Sequence, residues 1–524
     1  MKRIIVNGMT TAIALVLLVV LPGAAKSGQV DADDFTFQRV VDQAKQLAGE
    51  SYVPPAPLPD LLRDMTYDEW RTIRQRRDKA YWHAQKLPFE LQFFHPGFVY
   101  DRTVKMNAVT PTGVVPVVAE RSWFDYGGLP QSPQIPEQVG LAGFRVHTAI
   151  KTTDYLDEFL VFLGGSYLRA VGKDDAYGLS ARGLALDTAS SRGEEFPWFR
   201  EFWIVQPKPT DSALTIFALL DSQRVTGAYR YTVVPGPNTI INVSSHLFFR
   251  EAVDKLGIAP LTSMYFFGEN NPSPGIDDFR PEVHDSDGLL IHFGSGEWLW
   301  RPLSNGRLLQ VNGFKSLSFK GFGLLQRDKN FDHYQDLEAR YEKRPGLWIE
   351  PLSEWGPGRV ELIQIPTKDE IHDNVVAFFV PDAAPQAGTE LQFDYRMWWG
   401  GGSKIDSTGA RVIATRIGRE EDASRYRFVI DFAGADLKRL SAEQPVEAVV
   451  SAGAGGRIVM QTVQKNPLDQ SWRLVFVLAT EPKTALDKVL PDNGRGIEVR
   501  AFLKNGPDVI SETWSYLFGK KGGQ

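Results

Sequence analysis

The chain has 524 residues, a formal charge of −6, 43% hydrophobic and 12% aromatic residues, and no cysteine. Lacking a thiol, it has no disulfide, no thiolate nucleophile and no cysteine-ligated zinc, so stability rests on buried core. A net acidic chain suits neither nucleic acid nor an anionic membrane surface, which both reward a basic face, whereas a neutral glycan is indifferent to that sign.

At the amino terminus, Lys2 and Arg3 precede an apolar run over 12–21, and Pro22, Gly23, Ala24 and Ala25 supply the small residues a signal peptidase accepts. This pattern predicts a Sec-type signal peptide over 1–25; the rival is an uncleaved anchor, for which the run falls short of the ~20 apolar residues of a span. No later segment is apolar and long enough to cross a bilayer, so export without stable membrane insertion is expected.

Residues 34–48 and 67–86 carry helical spacing, and Pro54, Pro55, Pro57 and Pro59 stiffen the stretch between them. After Pro88 the texture changes: runs at 91–99, 159–163, 213–220, 229–234 and 239–249 are separated by Gly, Pro, Asn and Asp turns. That is the rhythm of antiparallel β-structure, not of β/α alternation. Residues 34–399 are therefore predicted as a large antiparallel β-sandwich with a helical N-terminal segment. Gly400, Gly401, Gly402, Ser403 and Lys404 open a flexible joint assigned to 400–409. Beyond it, 410–417, 426–431, 446–451, 456–464, 472–478, 496–504 and 511–518 read as seven short strands. Their number and spacing predict a disulfide-free, immunoglobulin-like sandwich over 410–520 with a structural or docking role, making the whole chain all-β.

Chemistry concentrates between Met264 and Asn374, where Asp277, Asp278, Asp285, Asp287, Glu297, Asp336, Glu338, Glu370 and Asp373 are interleaved with Tyr265, Trp298, Trp300, Tyr334, Tyr341, Trp348 and Trp355. An aromatic plate accepts the C–H face of a sugar, carboxylates bind hydroxyls, and acetal cleavage takes one carboxyl as acid and another as base. A glycan site is the first expectation.

Each residue also has a plainer reading. Asp285, followed by Ser286, Asp287 and Gly288, fits ordinary turn chemistry, and Asp373 fits a loop carboxylate. Asp336 and Glu338 suit cap or salt-bridge duty. Trp298 and Trp300, two apart in a predicted strand, face one side and either line a cleft or fill the core. Arg145, Arg182, Arg280 and Arg301 either donate to sugar hydroxyls or clamp carboxylates. His284, His292, His333 and His372 lack a short metal-ligand spacing and read as core or supporting residues. Nothing demands a metal or an organic cofactor.

Longer matches exist. Phe162-Leu163-Gly164-Gly165-Ser166-Tyr167, Tyr177-Gly178-Leu179-Ser180-Ala181-Arg182-Gly183, His284-Asp285-Ser286-Asp287-Gly288-Leu289, Gly296-Glu297-Trp298-Leu299-Trp300-Arg301-Pro302-Leu303, Gly321-Phe322-Gly323-Leu324-Leu325-Gln326-Arg327, Arg344-Pro345 with Trp348-Ile349-Glu350-Pro351, and Ser511-Glu512-Thr513-Trp514 occur in this order. Together they resemble the glucan biosynthesis protein G/D family (OpgG/MdoG and OpgD) over nearly all of the mature chain. The resemblance implies a Gram-negative periplasmic protein of two β-domains, the larger galactose mutarotase-like, although the histidine usual in mutarotases is not identifiable. It implies action on the β-1,2-glucan backbone of osmoregulated periplasmic glucans, as an inverting β-1,2-glucanase or an inverting transglycosylase. A non-catalytic glucan-binding scaffold that serves the inner-membrane glucan synthesis machinery is the third reading. On this chain the family's acid falls on Asp373 and its base on Asp285, with Glu370 and Tyr341 as polar helpers. Glu370 is expected to raise the proton affinity of Asp373 by like-charge repulsion. Trp298, Trp300, Trp348, Arg280 and His284 are expected to contact the sugar.

Overall fold

The computed structural model describes residues 35–271, 277–401, 409–481 and 496–519. The expected signal peptide over 1–25 and most of the expected joint at 400–409 lie outside these residues.

The first helix, Phe37–Ala48, buries Val40, Val41 and Ala44 on one stripe. They meet Trp203, Phe217, Leu219, Ala228 and Phe248 on the outer face of a large sheet. The second expected helix, 67–86, stops early. Tyr67–Thr72 is helical behind a capping box in which Thr66 and Glu69 bond reciprocally. The chain then turns extended, and Arg74–Gln75 pairs with Phe124–Asp125. Arg71, Arg74 and Arg77 would stand three apart on one helical face, and like charges at that spacing oppose the helix. The buried Gln75 carboxamide instead accepts from the Phe93 backbone, which holds the segment in its extended form.

Two sheets sandwich the main core. A ten-stranded sheet runs in the order Phe89–Phe94, Gly143–Thr152, Tyr155–Leu163, Tyr167–Ala170, Ser180–Arg182, Leu256–Ser263, Val375–Pro381, Gly358–Gln364 and Gln310–Ser316, with Leu184–Leu186 paired beside Leu256–Ser263. A fifteen-stranded sheet packs behind it, its centre formed by Phe319–Leu325, Gly346–Pro351, Glu390–Gly400, Thr239–Phe249 and Val225–Val234. The strand expected over 91–99 is Phe89–Phe94, and Pro96 and Gly97 turn the chain just beyond it. Alternation drives the packing. On adjoining strands Phe144, Leu160, Phe162 and Leu168 point inward, where Phe144 and Phe162 stack at 5.1 Å and Phe162 meets Phe202 at 5.3 Å. The intervening residues, among them Arg145, Tyr167 and Arg169, stand on the opposite face and make a polar floor.

All seven strands expected after residue 409 form, as Arg411–Arg419, Arg425–Ala433, Val446–Ala452, Gly456–Lys465, Trp472–Thr480, Ile497–Asn505 and Thr513–Phe518. Four make a separate sheet in the order Arg411–Arg419, Arg425–Ala433, Trp472–Thr480, Gly456–Lys465. The other three extend the fifteen-stranded sheet, because Thr513–Phe518 pairs in parallel with Trp298–Pro302 through Leu299↔Thr513 and Trp300↔Trp514. The C-terminal core thus includes Leu290, Trp300 and Trp348 from the larger region beside Phe428, Phe476 and Trp514.

Candidate active site

Asp373 stands at the mouth of Val375–Pro381, and its neighbour Asn374 fixes it there. The Asn374 carboxamide is buried, accepts from Tyr265 N at 2.8 Å and donates to the Tyr265 and Ile365 carbonyls at 3.0 Å. Breaking such a fully satisfied buried group is costly, so the loop end is pinned. The Asp373 side chain stays 32% exposed, with Arg169 Nη2 3.7 Å from its carboxylate. Arg169 in turn donates from Nε to Ser180 Oγ at 2.7 Å, across to the next strand.

Asp285 comes from a different part of the chain. It follows the short strand Val283–His284, its amide donates to Met264 O at 2.9 Å, and the residue is only 4% exposed. Arg344 Nη1 donates to Asp285 Oδ1. The same guanidinium donates to the Ala339 carbonyl from Nε and Nη2, at 3.2 and 3.1 Å, and lies 4.4 Å above the Tyr341 ring. Gly178 permits this seat, since a Cβ there would come within 3.0 Å of the Arg344 side chain.

Burial pushes the Asp285 carboxyl up to about 6; Arg344 pulls it down, and the negative charge of Asp373 pushes it up again. Arg169 acts on it as well. The two carboxylates and Arg169 therefore share one electrostatic field, the buried member closed and the other open to solvent.

Glu370 and Tyr341 join the same network. Tyr341 donates from its hydroxyl to Glu370 Oε2 at 3.0 Å, and Arg280 Nη1 reaches that oxygen at 2.8 Å. Arg280 also binds Asp278 and Asp336, and this carboxylate set holds its proton more firmly still. Asp336 takes both plainer duties, accepting from the Glu338 and Ala339 amides at 2.9 and 2.7 Å. Glu370 thus accepts from a phenol and shares one guanidinium with two other carboxylates. A raised proton affinity is found on Asp285, where burial causes it.

Four expected sugar contacts are corrected. His284 is 1% exposed, stacks on Tyr265 at 5.2 Å, and engages Gln326 and Glu282 through its two ring nitrogens at 3.0 and 2.8 Å. It is a core histidine. Trp298, Trp300 and Trp348 face the C-terminal sandwich, where Trp298 stacks on Trp348 at 5.6 Å and Arg327 lies 3.7 Å over Trp300. Trp300 lies across Gly288 and Trp348 across Gly321, positions at which a Cβ would sit 2.1 and 2.3 Å from the indoles. These glycines, in strands beside tryptophans, were the legible sign of flat packing. Arg182 and Arg301 prove to be clamps, on Glu194 at 2.6 Å and on Glu498 at 2.8 Å. Arg169, Arg344 and Tyr167 were not singled out. Alternation in Tyr167–Ala170 was the signal for two of them, since it sets Tyr167 and Arg169 on one face.

Among the described residues one group of donors could hold a cation: Glu282, Asp328 and His333 bring ligand atoms within 4.8 Å of one another. Each already has a partner, Glu282 in His284 and Asp328 in His333.

The sequence matches the family described as periplasmic glucan biosynthesis protein, MdoG, over residues 35–518. It is 46% identical over 493 residues to glucans biosynthesis protein G of Ralstonia nicotianae, covering 92% of this chain and 96% of that protein. Among solved structures, a polysaccharide lyase is similar over 73% of this chain and 45% of its own, with TM-score 0.22 and 11% identity. A galactose mutarotase related enzyme of Lactobacillus acidophilus is similar over 47% of this chain and 97% of its own, with TM-score 0.21 and 10% identity. The chain belongs to the MdoG family of periplasmic glucan biosynthesis proteins. No helix among the described residues is long and apolar enough to cross a membrane.

Proposed function

We propose that this member of the MdoG family works in the periplasm as an anomer-inverting β-1,2-glucanase on the glucan backbone. The observation that carries the reading is the pairing, around Arg169, of a solvent-open carboxyl, Asp373, with a buried carboxylate clamped by Arg344, Asp285. Asp373 gives its proton to the glycosidic oxygen as the bond from that oxygen to the anomeric carbon breaks. A water attacks the same carbon from the opposite face and passes its proton, directly or through further water, to Asp285. The anomeric configuration inverts, and exchange with solvent returns one proton to Asp373 and takes one from Asp285. With a carboxyl pushed up to about 6, Asp285 is ionised at neutral pH and still basic enough to accept that proton. The Tyr341–Glu370–Arg280 chain fixes the wall beside Arg344 and leaves Glu370 partly exposed to meet sugar hydroxyls.

The burial of Asp285 gives specific support to a second reading, inverting transglycosylation, in which a sugar hydroxyl takes the place of the attacking water. Incubation of the protein with linear β-1,2-glucan, with products sized and the new anomer followed by NMR, separates the readings. New α-anomeric reducing ends, lost in Asp373→Asn, support hydrolysis; rejoined or cyclic products without new reducing ends support transfer. Glucan that is bound and never altered would leave only a scaffold.

A further inference from the structure

A row of aromatic side chains leads away from the Asp373 end of the site. Tyr100 packs on the turn after Tyr155–Leu163: a Cβ on Gly164 would meet its ring at 3.2 Å. That turn opens into Tyr167–Ala170, which carries Arg169, and Arg169 is within electrostatic reach of the Tyr100 hydroxyl as well as 3.7 Å from Asp373. Outward from Tyr100 come Trp70 at 4.6 Å and then Tyr67, 6.4 Å from Trp70 and 5.8 Å from Phe98.

The row is built rather than incidental. Trp70 is anchored by its indole N–H, which donates to His95 O at 2.8 Å, and Tyr67 and Trp70 share one turn of the capped helix Tyr67–Thr72. Phe98 is presented by a two-residue turn closed by mutual bonds between Gly97 and Tyr100, and it adopts a left-handed φ of 56°. A bulky residue held there costs energy, which the amide bond from Phe98 to Leu62 O, at 3.2 Å, helps to offset. The outer ring is open: Tyr67 is 53% exposed. A polymer held only at its scissile bond would be positioned poorly, while neighbouring rings 4.6–6.4 Å apart offer apolar surface to successive sugars.

We propose that Tyr67, Trp70, Phe98 and Tyr100 form a distal saccharide subsite that binds units of the same glucan chain several residues from the bond that reacts. The inference rests on the glucan reading above and deepens it, assigning chain-length preference to this strip. Tyr67 is the residue to change, because its ring is open to solvent and its loss leaves the core intact.

The test is calorimetric binding of long and short linear β-1,2-glucans to the whole protein carrying Asp373→Asn, which stops turnover, with and without Tyr67→Ala or Tyr67→Phe. Expected is a Kd for long chains weakened roughly three- to tenfold in Tyr67→Ala, the worth of one aromatic contact, with short chains unaffected and Tyr67→Phe behaving like the parent. Unchanged long-chain affinity in Tyr67→Ala overturns the subsite while leaving the glucan reading in place. So does an equal loss in Tyr67→Phe, which would assign the contact to the hydroxyl. Failure of the parent to bind glucan of either length overturns both.

Discussion

Two regions of this molecule combine acids, arginines and aromatic rings, and they have opposite fates. Where the larger sandwich meets the C-terminal strands, the central ion pair is matched and covered: Arg327 takes Glu512 at 2.5 and 3.0 Å, lies over Trp300, and leaves the Glu512 side chain with no exposure. On the face of the ten-stranded sheet, Asp373 has one cation at 3.7 Å and open solvent beside it, while Asp285 is buried but only partly compensated. The same residue types thus make a seal in one place and the proposed glucan trough in the other. What separates them is whether a second layer of chain covers the face.

Substitutions can break this contrast. The largest effect is expected for Asp373→Asn: loss of the acid should lower kcat on β-1,2-glucan by about 10²–10⁴-fold with an unchanged melting temperature, measured by reducing-end release and thermal denaturation. An equally large fall in melting temperature would make Asp373 structural. In the sealed region the pattern should reverse. Trp300→Ala removes a buried ring and its Arg327 contact, and should lower unfolding free energy by about 3–5 kcal/mol in denaturant titration, with the activity of the remaining folded protein retained.

Arg344→Lys sharpens the comparison within the trough. Lysine keeps the charge but lacks the planar fork that holds Asp285 and the Ala339 carbonyl at once, so kcat should fall roughly tenfold, less than the ~10²–10⁴-fold of losing a general base outright. The parent's acidic limb should have its midpoint near the Asp285 value of about 6. The sign is fixed by the role: a base is lost on protonation, so activity falls as pH drops through this value, and weakening Arg344 moves the limb to higher pH. A rate that instead rises below the midpoint would make Asp285 the acid.

The smallest effect concerns Glu269, whose carboxyl burial pushes up to about 7 from 4.5. Between those values the folded state holds a proton that the unfolded chain has released, so stability falls as pH rises through the window. Glu269→Gln should flatten that slope by on the order of 1 kcal/mol in denaturant titrations across the range.

Much of this was legible in the sequence. Alternation and turn residues marked nearly all the C-terminal strands to within two or three residues, because strand pairing obeys a local period of two and Gly, Asn and Asp interrupt it for backbone reasons. The second helix was misread because 67–86 has helical spacing, while Gln75 finds its partner Phe93 across a strand pair. The tryptophans were misassigned for a related reason. Period two says that Trp298 and Trp300 share a face, and only the layer opposite says whether that face meets sugar or Trp514.

The sequence by itself determined the all-β class, the rhythm of the strands and the reservoir of carboxylates and rings, since these depend on neighbours along the chain. The tertiary structure alone decided that Asp285 is buried under Arg344, that Arg169 stands beside Asp373, and that Glu370 answers to Arg280 and Tyr341. Those pairings join residues far apart in the chain, and the burial and Coulomb forces that set their protonation act through space.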